Sequence, residues 1–357
     1  MTLLIRPRPH FGEGRQGYLL RIAAANALES PTQLSTAMLV SSKLFVPMMT
    51  IRGPIRGLPK IKIEEPDALP GRYWNVRTCR YCPACLDDKP IFRDLWQLGF
   101  YTACHHHGTA LQDSCHACRQ TIIWDRRWVN QCDCGADLNS SPVVEASPSA
   151  LKVSSMLADA WNNDAKRQDI KGGGLESKLH RIWVLGSYAL ACGLRVKRLR
   201  DVHDLQHAVR LVEAADRTMS CWPNRFHELL DAKASGHGTR KLNRSGSSFG
   251  SLYREIFAKQ RAVEHEDLRA AFEQYVQTKW EVELAVRGRQ QSKRTLEAHE
   301  WISVTQAARE LNWKTPRLRA AIENGVVEGK LLELASGRVT CVVRRSSLTL
   351  FKAKAKT

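Results

Sequence analysis

Apolar residues recur at helical spacing along most of the chain, with one long interruption. Between Gln16 and Leu28, the residues Leu19, Ile22, Ala23 and Ala27 fall on one side of a helix, the stripe expected to face a core. Ser30-Pro31-Thr32-Gln33 combines a capping box with proline at the first helical position and predicts a second helix. From about residue 148 the pattern resumes. Leu151, Val153, Met156, Leu157, Ala160 and Trp161 predict one helix. Leu175, Leu179, Ile182, Trp183, Gly186 and Leu190 predict the next, beyond the break Lys171-Gly172-Gly173-Gly174 and with Gly193 as its C′ residue. Asp201 is placed to cap a helix carrying Leu205, Ala208, Val209 and Val212. Trp222-Pro223 opens another with Phe226, Leu229 and Leu230, and a longer one runs from about Glu264 to Val286.

Residues 301–327 read as a helix-turn-helix. Thr305 caps Gln306 to Leu311, Asn312-Trp313-Lys314 turns, and Thr315-Pro316 opens Arg317 to Glu323, which Asn324-Gly325 ends. Small Ala308 lets Leu318 and Ile322 pack closely against the first helix. Lys330 to Leu334 and Arg338 to Val343, joined around Ser336-Gly337, predict a two-stranded wing. Lys314, Arg317 and Arg319 are the candidate nucleic-acid contacts. The alternative is that the motif only packs against its neighbours or mediates dimers.

The interruption lies between these helical regions. Pro47, Pro54, Pro59, Pro66 and Pro70, with Gly53, Gly57 and Gly71, mark an extended connector. Beyond it, Ile91 to Leu98, Ile122 to Trp124 and Trp128-Val129 suit short hairpin strands. Between them recur Cys82-Pro83-Ala84-Cys85, Cys104-His105-His106-His107, Cys115-His116-Ala117-Cys118 and Cys132-Asp133-Cys134. Two thiolates separated by two residues can bite one tetrahedral Zn²⁺, and two such pairs close its shell. The economical pairing gives Cys82, Cys85, Cys104 and His107 to one ion and Cys115, Cys118, Cys132 and Cys134 to a second. The intervening loops are then 18 and 13 residues long. Cys79 competes for the first site, His105 and His106 compete with His107, and interleaved pairing of the four pairs stays open. The remaining cysteines, Cys192, Cys221 and Cys341, show no partner spacing.

Composition sharpens this picture. The chain has 357 residues, 43% hydrophobic and 25% charged, with net charge +18. That length allows two or three domains, and that charge points to a polyanionic partner, nucleic acid first. No apolar run is long enough to span a membrane, and Met1 to Arg6 lacks a signal-peptide apolar core. A cytoplasmic location is expected, where reduced thiols favour metal over disulfides. Catalytic signatures are missing. His-x-Glu ahead of Pro-Cys-x-x-Cys, His-Glu-x-x-His and the phosphate-binding Gly-x-x-x-x-Gly-Lys-Ser/Thr do not occur. The expectation is a non-enzymatic, mostly α, multidomain protein. An N-terminal helical segment and connector (1–71) precedes a tandem zinc module (72–140). A helical domain (148–235), a basic linker (236–250) and a helical region with the helix-turn-helix and wing (251–357) follow. The basic run Arg287 to Arg294 is a candidate phosphate-tracking segment.

Several of these features together resemble the TniQ/TnsD family of bacterial transposon target-selection proteins. Arg6-Pro7-Arg8-Pro9 followed by Gly17-Tyr18-Leu19-Leu20-Arg21-Ile22-Ala23 is similar to the family's start, with Gly14-Arg15-Gln16-Gly17 where the family shows Glu-Ser. Arg80-Tyr81-Cys82-Pro83-Ala84-Cys85, Leu95-Trp96-Gln97, Tyr101 to Gly108, Thr109-Ala110-Leu111 and Cys115-His116-Ala117-Cys118 give its order of cysteines, tryptophan and histidine. Trp222-Pro223-Asn224-Arg225-Phe226-His227 is similar to a segment of CRISPR-associated members. The resemblance implies a non-catalytic adaptor with two structural Zn²⁺ ions. It would link a target-bound complex, an RNA-guided Cascade ribonucleoprotein or a DNA attachment site, to an AAA+ transposition regulator of the TnsC/TniB type. A homodimer in the bacterial cytoplasm, near the nucleoid, is implied too. The rival expectation is a stand-alone, sequence-specific helix-turn-helix transcription regulator.

Overall fold

A computed structural model of the protein describes residues 3, 5–34, 38, 69–165, 174–190, 202–235, 249–257, 265–279, 300–333 and 339–348, about half of them helical. The chain divides into two compact units, Met1–Leu190 with Val196–Arg217, and Ala191–Arg195 with Thr218–Thr357. No helix among the described residues is long and apolar enough to cross a membrane.

The first unit opens with α1 (Arg15–Ala25). Its Tyr18, Leu19, Ile22 and Ala23 pack with Leu3 and Leu34, whereas Ala27, expected on the same stripe, lies past the helix end, exposed and left-handed at φ 56°. Gly17 touches the next segment so closely that a Cβ there would lie 2.7 Å from the Cβ of Phe92. Arg21 donates to both oxygens of buried Glu13, at 2.8 and 2.7 Å. The second helix differs from expectation. Ser30 Oγ accepts the Thr32 N–H, but what it caps is a single 3₁₀ turn, Pro31–Gln33, followed by extended Leu34. A hydroxyl bonded two residues on favours a turn over a continuing helix. The rest of that expected helix, apart from Met38, and the connector up to residue 68 lie outside the described residues.

The cysteine-rich stretch has little regular structure. It holds α2 (Pro83–Asp88) and one short antiparallel hairpin, β1 (Ala103–Cys104) with β2 (Thr109–Ala110). Single bridges such as Trp74 with Leu98, Thr78 with Ile123 and Tyr81 with Gln112 hold the remainder. The hairpin strands expected at Ile91 to Leu98, Ile122 to Trp124 and Trp128-Val129 do not form. Asp94–Gln97 is a 3₁₀ turn instead, because Asp94 Oδ1 accepts its neighbour's N–H from Leu95 at 2.7 Å. The other oxygen of Asp94 accepts the indole N–H of Trp161 at 2.9 Å, fastening this turn to the helix that follows.

Three helices complete the unit: α3 (Pro148–Ala165), α4 (Leu175–Leu190) and α5 (Leu205–Met219), whose end marks the divide. α3 packs on α4 and on the hairpin. Ser154 Oγ in α3 accepts the N–H groups of Thr102 and Ala103 at 3.2 and 3.0 Å. The cap of α5 is Asp204, whose carboxylate accepts the His207 N–H at 3.0 Å; Asp201, expected there, lies outside the described residues, as do 171–173 and Gly193. Gly186 lets α4 meet α5, since a Cβ at this position would stand 2.3 Å from the carbonyl oxygen of Leu211.

In the second unit, α6 (Asn224–Ser235), α7 (Gly250–Ile256) and α8 (Glu266–Lys279) bury Phe226, Phe249, Tyr253, Phe272 and Tyr275. Phe249 meets Phe272 and Tyr275 edge-on. Residues 236–248 and Arg287 to Arg294 lie outside the described residues. The last described stretch forms a three-stranded antiparallel sheet, order β3-β5-β4, from β3 (Trp301–Ser303), β4 (Gly329–Glu333) and β5 (Val339–Arg344). Between β3 and β4 run α9 (Val304–Leu311) and α10 (Thr315–Glu323). Ile302, Ala307, Ala308, Leu318, Val327, Cys341 and Val343 form their common core. Ser303, not Thr305, caps α9, its Oγ accepting the Gln306 N–H at 3.2 Å. Asn312 leaves α9 in the left-handed conformation at φ 55°, and Lys314 is the cap of α10.

The Gly186 contact gives a stability prediction. At an open helix site, glycine to alanine stabilises by about 1 kcal/mol. Here the added methyl meets backbone, and overpacking of this kind costs about 1–3 kcal/mol. Gly186→Ala is therefore expected to lower the urea midpoint of the first unit's helical signal; a raised midpoint would contradict the close α4–α5 approach.

Candidate metal centres and the basic helix

The first knuckle arises at a helix start. Cys82 is the cap of α2 and Pro83 its first residue, which places Cys85 one turn on, facing back. The β1–β2 turn supplies the other pair. Gly108, at φ +67°, lets the chain reverse just after His107, with its N–H on the Cys104 carbonyl at 2.9 Å. Cys85 Sγ then lies 3.5 Å from Cys104 Sγ. The His107 Nδ1 lies 3.6, 3.2 and 3.6 Å from the sulfurs of Cys82, Cys85 and Cys104. A tetrahedral ion with metal–sulfur bonds of about 2.3 Å sets its ligand atoms about 3.5–3.8 Å apart, so these edges suit one. Supporting bonds suit it as well. His107 Nε2 faces the carboxylate of Asp88 at 3.1 Å, the outer partner that fixes a ligating imidazole's tautomer. Thr109 Oγ1 lies 3.3 Å from Cys82 Sγ, placed to donate to a thiolate.

The second cluster is built from two turns. Cys115 Sγ lies 3.7 Å from Cys134 Sγ, and Cys118 Sγ lies 3.7 Å from Cys132 Sγ. In each cluster the four candidate ligand atoms lie within 4.8 Å of one another. Backbone N–H groups point at the sulfurs. Cys82 accepts from Cys85, Cys104 from His107 and Cys115 from Cys118 and Ala117. Crowding sets the thiols against one another. Thiol hydrogen bonds from Cys104 and Cys85 pull Cys82 far down, while those same neighbours, Cys104 and Cys82, push Cys85 far up. Burial raises Cys115, but backbone and thiol donors outweigh it and draw it down to about 7. Burial, then the thiols of Cys118, Cys134 and Cys115, push Cys132 up to about 12. Cys82 and Cys115 are thus drawn down while Cys85 and Cys132 are pushed up, an opposition that a bound cation relieves. The two sets of four side chains are thus groups that can hold metal ions.

The rival ligands are engaged elsewhere. Cys79 is fully buried and accepts from Arg126 Nη1 at 3.0 Å; burial pushes its thiol up to about 11. His105 Nδ1 pairs with Tyr101 Oη at 2.5 Å, and burial holds this imidazole down at about 4. The His106 ring lies tilted by 38° against that of His105, centroids 3.9 Å apart. Two buried arginines that the spacing did not single out hold the loops around the clusters. Arg80 donates to the carbonyls of Gly99 at 2.8 Å and Val202 at 2.5 Å, joining the first knuckle to the lead-in of α5. Arg126 donates to Trp128 and Val129 carbonyls, both at 3.0 Å, and lies over the Phe92 ring.

The family model described as TniQ matches residues 4–111. That span takes in α1, α2, the hairpin and all four members of the first cluster. The chain carries a TniQ domain. No curated protein matches the sequence. Within the TniQ domain, then, lie Cys82, Cys85, Cys104, His107, Asp88 and Arg80, while Cys115 to Cys134 lie just beyond the matched span.

The candidate nucleic-acid residues sit far from the TniQ match in sequence, on and beside α10. Lys314 precedes the helix and is exposed, as are Arg317 and Arg319. The Arg317 guanidinium lies 4.3 Å from the centroid of the Trp313 ring, a cation–π contact that limits its motion. Among the described residues, no carboxylate pairs with any of the three.

The geometry of the clusters makes a quantitative expectation. Metal analysis of the native protein should give two tetrahedral ions per chain. Cys118→Ser should leave one, and Asp88→Asn should weaken the first site about ten- to a hundredfold in chelator competition. A single ion in the native chain, or an Asp88→Asn site of unchanged affinity, contradicts the arrangement.

Proposed function

We propose that this chain, which carries a TniQ domain over residues 4–111, is a non-catalytic adaptor that selects the target site for DNA transposition. The observation that carries the reading is the TniQ match over residues 4–111, with the saturated donor set Cys82, Cys85, Cys104 and His107 inside it. The ion is Zn²⁺ in both clusters, the metal that three cysteines with one histidine, or four cysteines, select by softness and tetrahedral geometry. When bound it contributes apparent folding free energy, about 10–16 kcal/mol in small zinc modules, and its closed shell leaves no position for a reacting molecule. The chain's own residues do the positioning. Asp88 orients His107, the α2 cap presents Cys82, and Arg80 ties the knuckle to the lead-in of α5.

On this reading the protein joins two assemblies. One marks the target and is either an RNA-guided Cascade complex or an attachment site in DNA; the other is an AAA+ regulator of the TnsC/TniB type that brings the transposase. The adaptor works as a homodimer in the bacterial cytoplasm, at the nucleoid. The α9–α10 pair with its sheet favours one alternative, a stand-alone transcription regulator of the helix-turn-helix kind. Mapping insertions in cells that carry the transposase and ATPase genes separates the two. Removing this chain should scatter or abolish insertion at the favoured site, and Cys85→Ser should reproduce the loss. Insertion at unchanged site and frequency without the chain would refute the adaptor role.

A further inference from the structure

We infer that the stretch around α10, residues 300–333 with 339–348, grips duplex DNA by its phosphates, with α10 lying in the major groove and Arg317 and Arg319 reaching opposite walls. Three features of this stretch lead there. The first is how α10 is buried. Leu318 alone is fully enclosed, Ala321 and Ile322 pack on the core, and Pro316, Arg317, Arg319, Ala320 and Glu323 are exposed. At about 100° per residue, Arg317 and Arg319 stand about 160° apart across the exposed face, with Pro316 and Ala320 between them. The face is thus low at its centre and cationic at both edges. An α-helix of about 10–12 Å diameter fits a major groove about 12 Å wide. In that position the edges of the helix meet the two phosphate rows and a small centre approaches the bases.

The second feature is the sorting of charge. Arg344 is held by Glu300 at 2.7 Å and Glu328 at 3.1 Å, and Arg345 by Glu310 at 3.2 Å. Three of this stretch's carboxylates are therefore spent on cations away from α10. Lys314, Arg317 and Arg319 are left facing outward without a carboxylate partner among the described residues. Glu323 shares the exposed face but sits in the last turn, so the first two turns enter the groove and the C-terminal end tilts out. The third feature is preorganisation. Arg317 is stacked on Trp313, and the start of α10 offers its unpaired N–H groups toward anions. Contacts to phosphate fix register and carry no base information. The module accordingly supplies affinity without choosing a sequence. The inference stands on these residues alone and does not depend on the adaptor role.

The full chain, metal-loaded, is titrated with two short duplexes of unrelated sequence by fluorescence anisotropy over a series of salt concentrations. Lys314→Ala, Arg317→Ala and Arg319→Ala, all at exposed positions, should each weaken both duplexes alike. Each should also reduce the salt slope by about 1. Arg317→Lys, which keeps the charge, should leave the slope near native. Duplex RNA, whose major groove is deep and narrow, should bind more weakly than DNA. Unchanged slopes in the three variants would overturn the proposal. So would a strong preference between the duplexes that Arg317→Lys erases, since that marks base reading. Equal affinity for duplex RNA would overturn the groove placement. Loss of DNA binding with target selection intact, or the reverse, separates this inference from the adaptor role.

Discussion

Sulfur atoms 3.5 to 3.7 Å apart cannot all carry charge unless something positive sits among them. At such distances two thiolates repel by several kcal/mol even at an intermediate effective dielectric. The fold nonetheless drives them together, and little else holds the stretch they come from. Between Trp74 and Ala146 the only ladder is the two-residue hairpin β1–β2, and the rest of the backbone meets in isolated bridges. The donor sets take over the work that a sheet or a bundle would do. Four side chains fixed to one ion would order the loops between them far more strongly than isolated bridges can.

Loops that are buried but irregular raise a second demand, since their carbonyls need donors. Arginine meets it, with five N–H groups on one planar head. Arg80 reaches carbonyls in two segments of the first unit, Gly99 and Val202. Burial lowers it only to about 10, so it stays charged at neutral pH and donates through both terminal nitrogens. Arg126 does the same for the loop from Ile123 to Val129 while capping the sulfur of Cys79. This explains why Cys79, three residues from Cys82 and a plausible ligand by spacing, is instead a protonated thiol against a guanidinium. The ion-holding positions are chosen partly by what the arginines have already claimed.

The helical stripes and the cysteine spacings were legible in the sequence because both are local. Leu19, Ile22 and Ala23 needed only the period of a helix, and the Cys-x-x-Cys pairs needed only the bite of a turn. What stayed hidden was non-local or competed with a local bond. Asp88 meets His107 only once α2 and the hairpin have folded beside each other, and nothing in its own neighbourhood announces this. The strands expected around Ile91 to Leu98 had the right composition, but Asp94 bonded to the next residue's N–H and wound the segment into a turn. Thr305 lost the cap of α9 to Ser303 because β3 delivers Ser303 in extended conformation at the sheet edge. That strand was invisible because its partner, β5, lies about forty residues further on in the sequence.

The distribution of charge separates holding from choosing. A net charge of +18 would draw nucleic acid to almost any surface of the chain, which is a poor basis for selecting one site. The last described stretch narrows it. Carboxylates neutralise Arg344 and Arg345, while Lys314, Arg317 and Arg319, at the entry and the two edges of α10, pair with no carboxylate among the described residues. Cations at the edges of a helix meet phosphates, which every duplex shares, while the centre of the first two turns of that helix offers proline and alanine to the bases. A grip of this kind keeps the protein on DNA at many sites and leaves discrimination to whatever engages the rest of the molecule. The first unit, with two donor sets that can hold metal ions and loops pinned by buried arginines, is built to give the rigidity that such a discriminating contact requires, because a surface that must recognise one partner cannot re-form for each encounter.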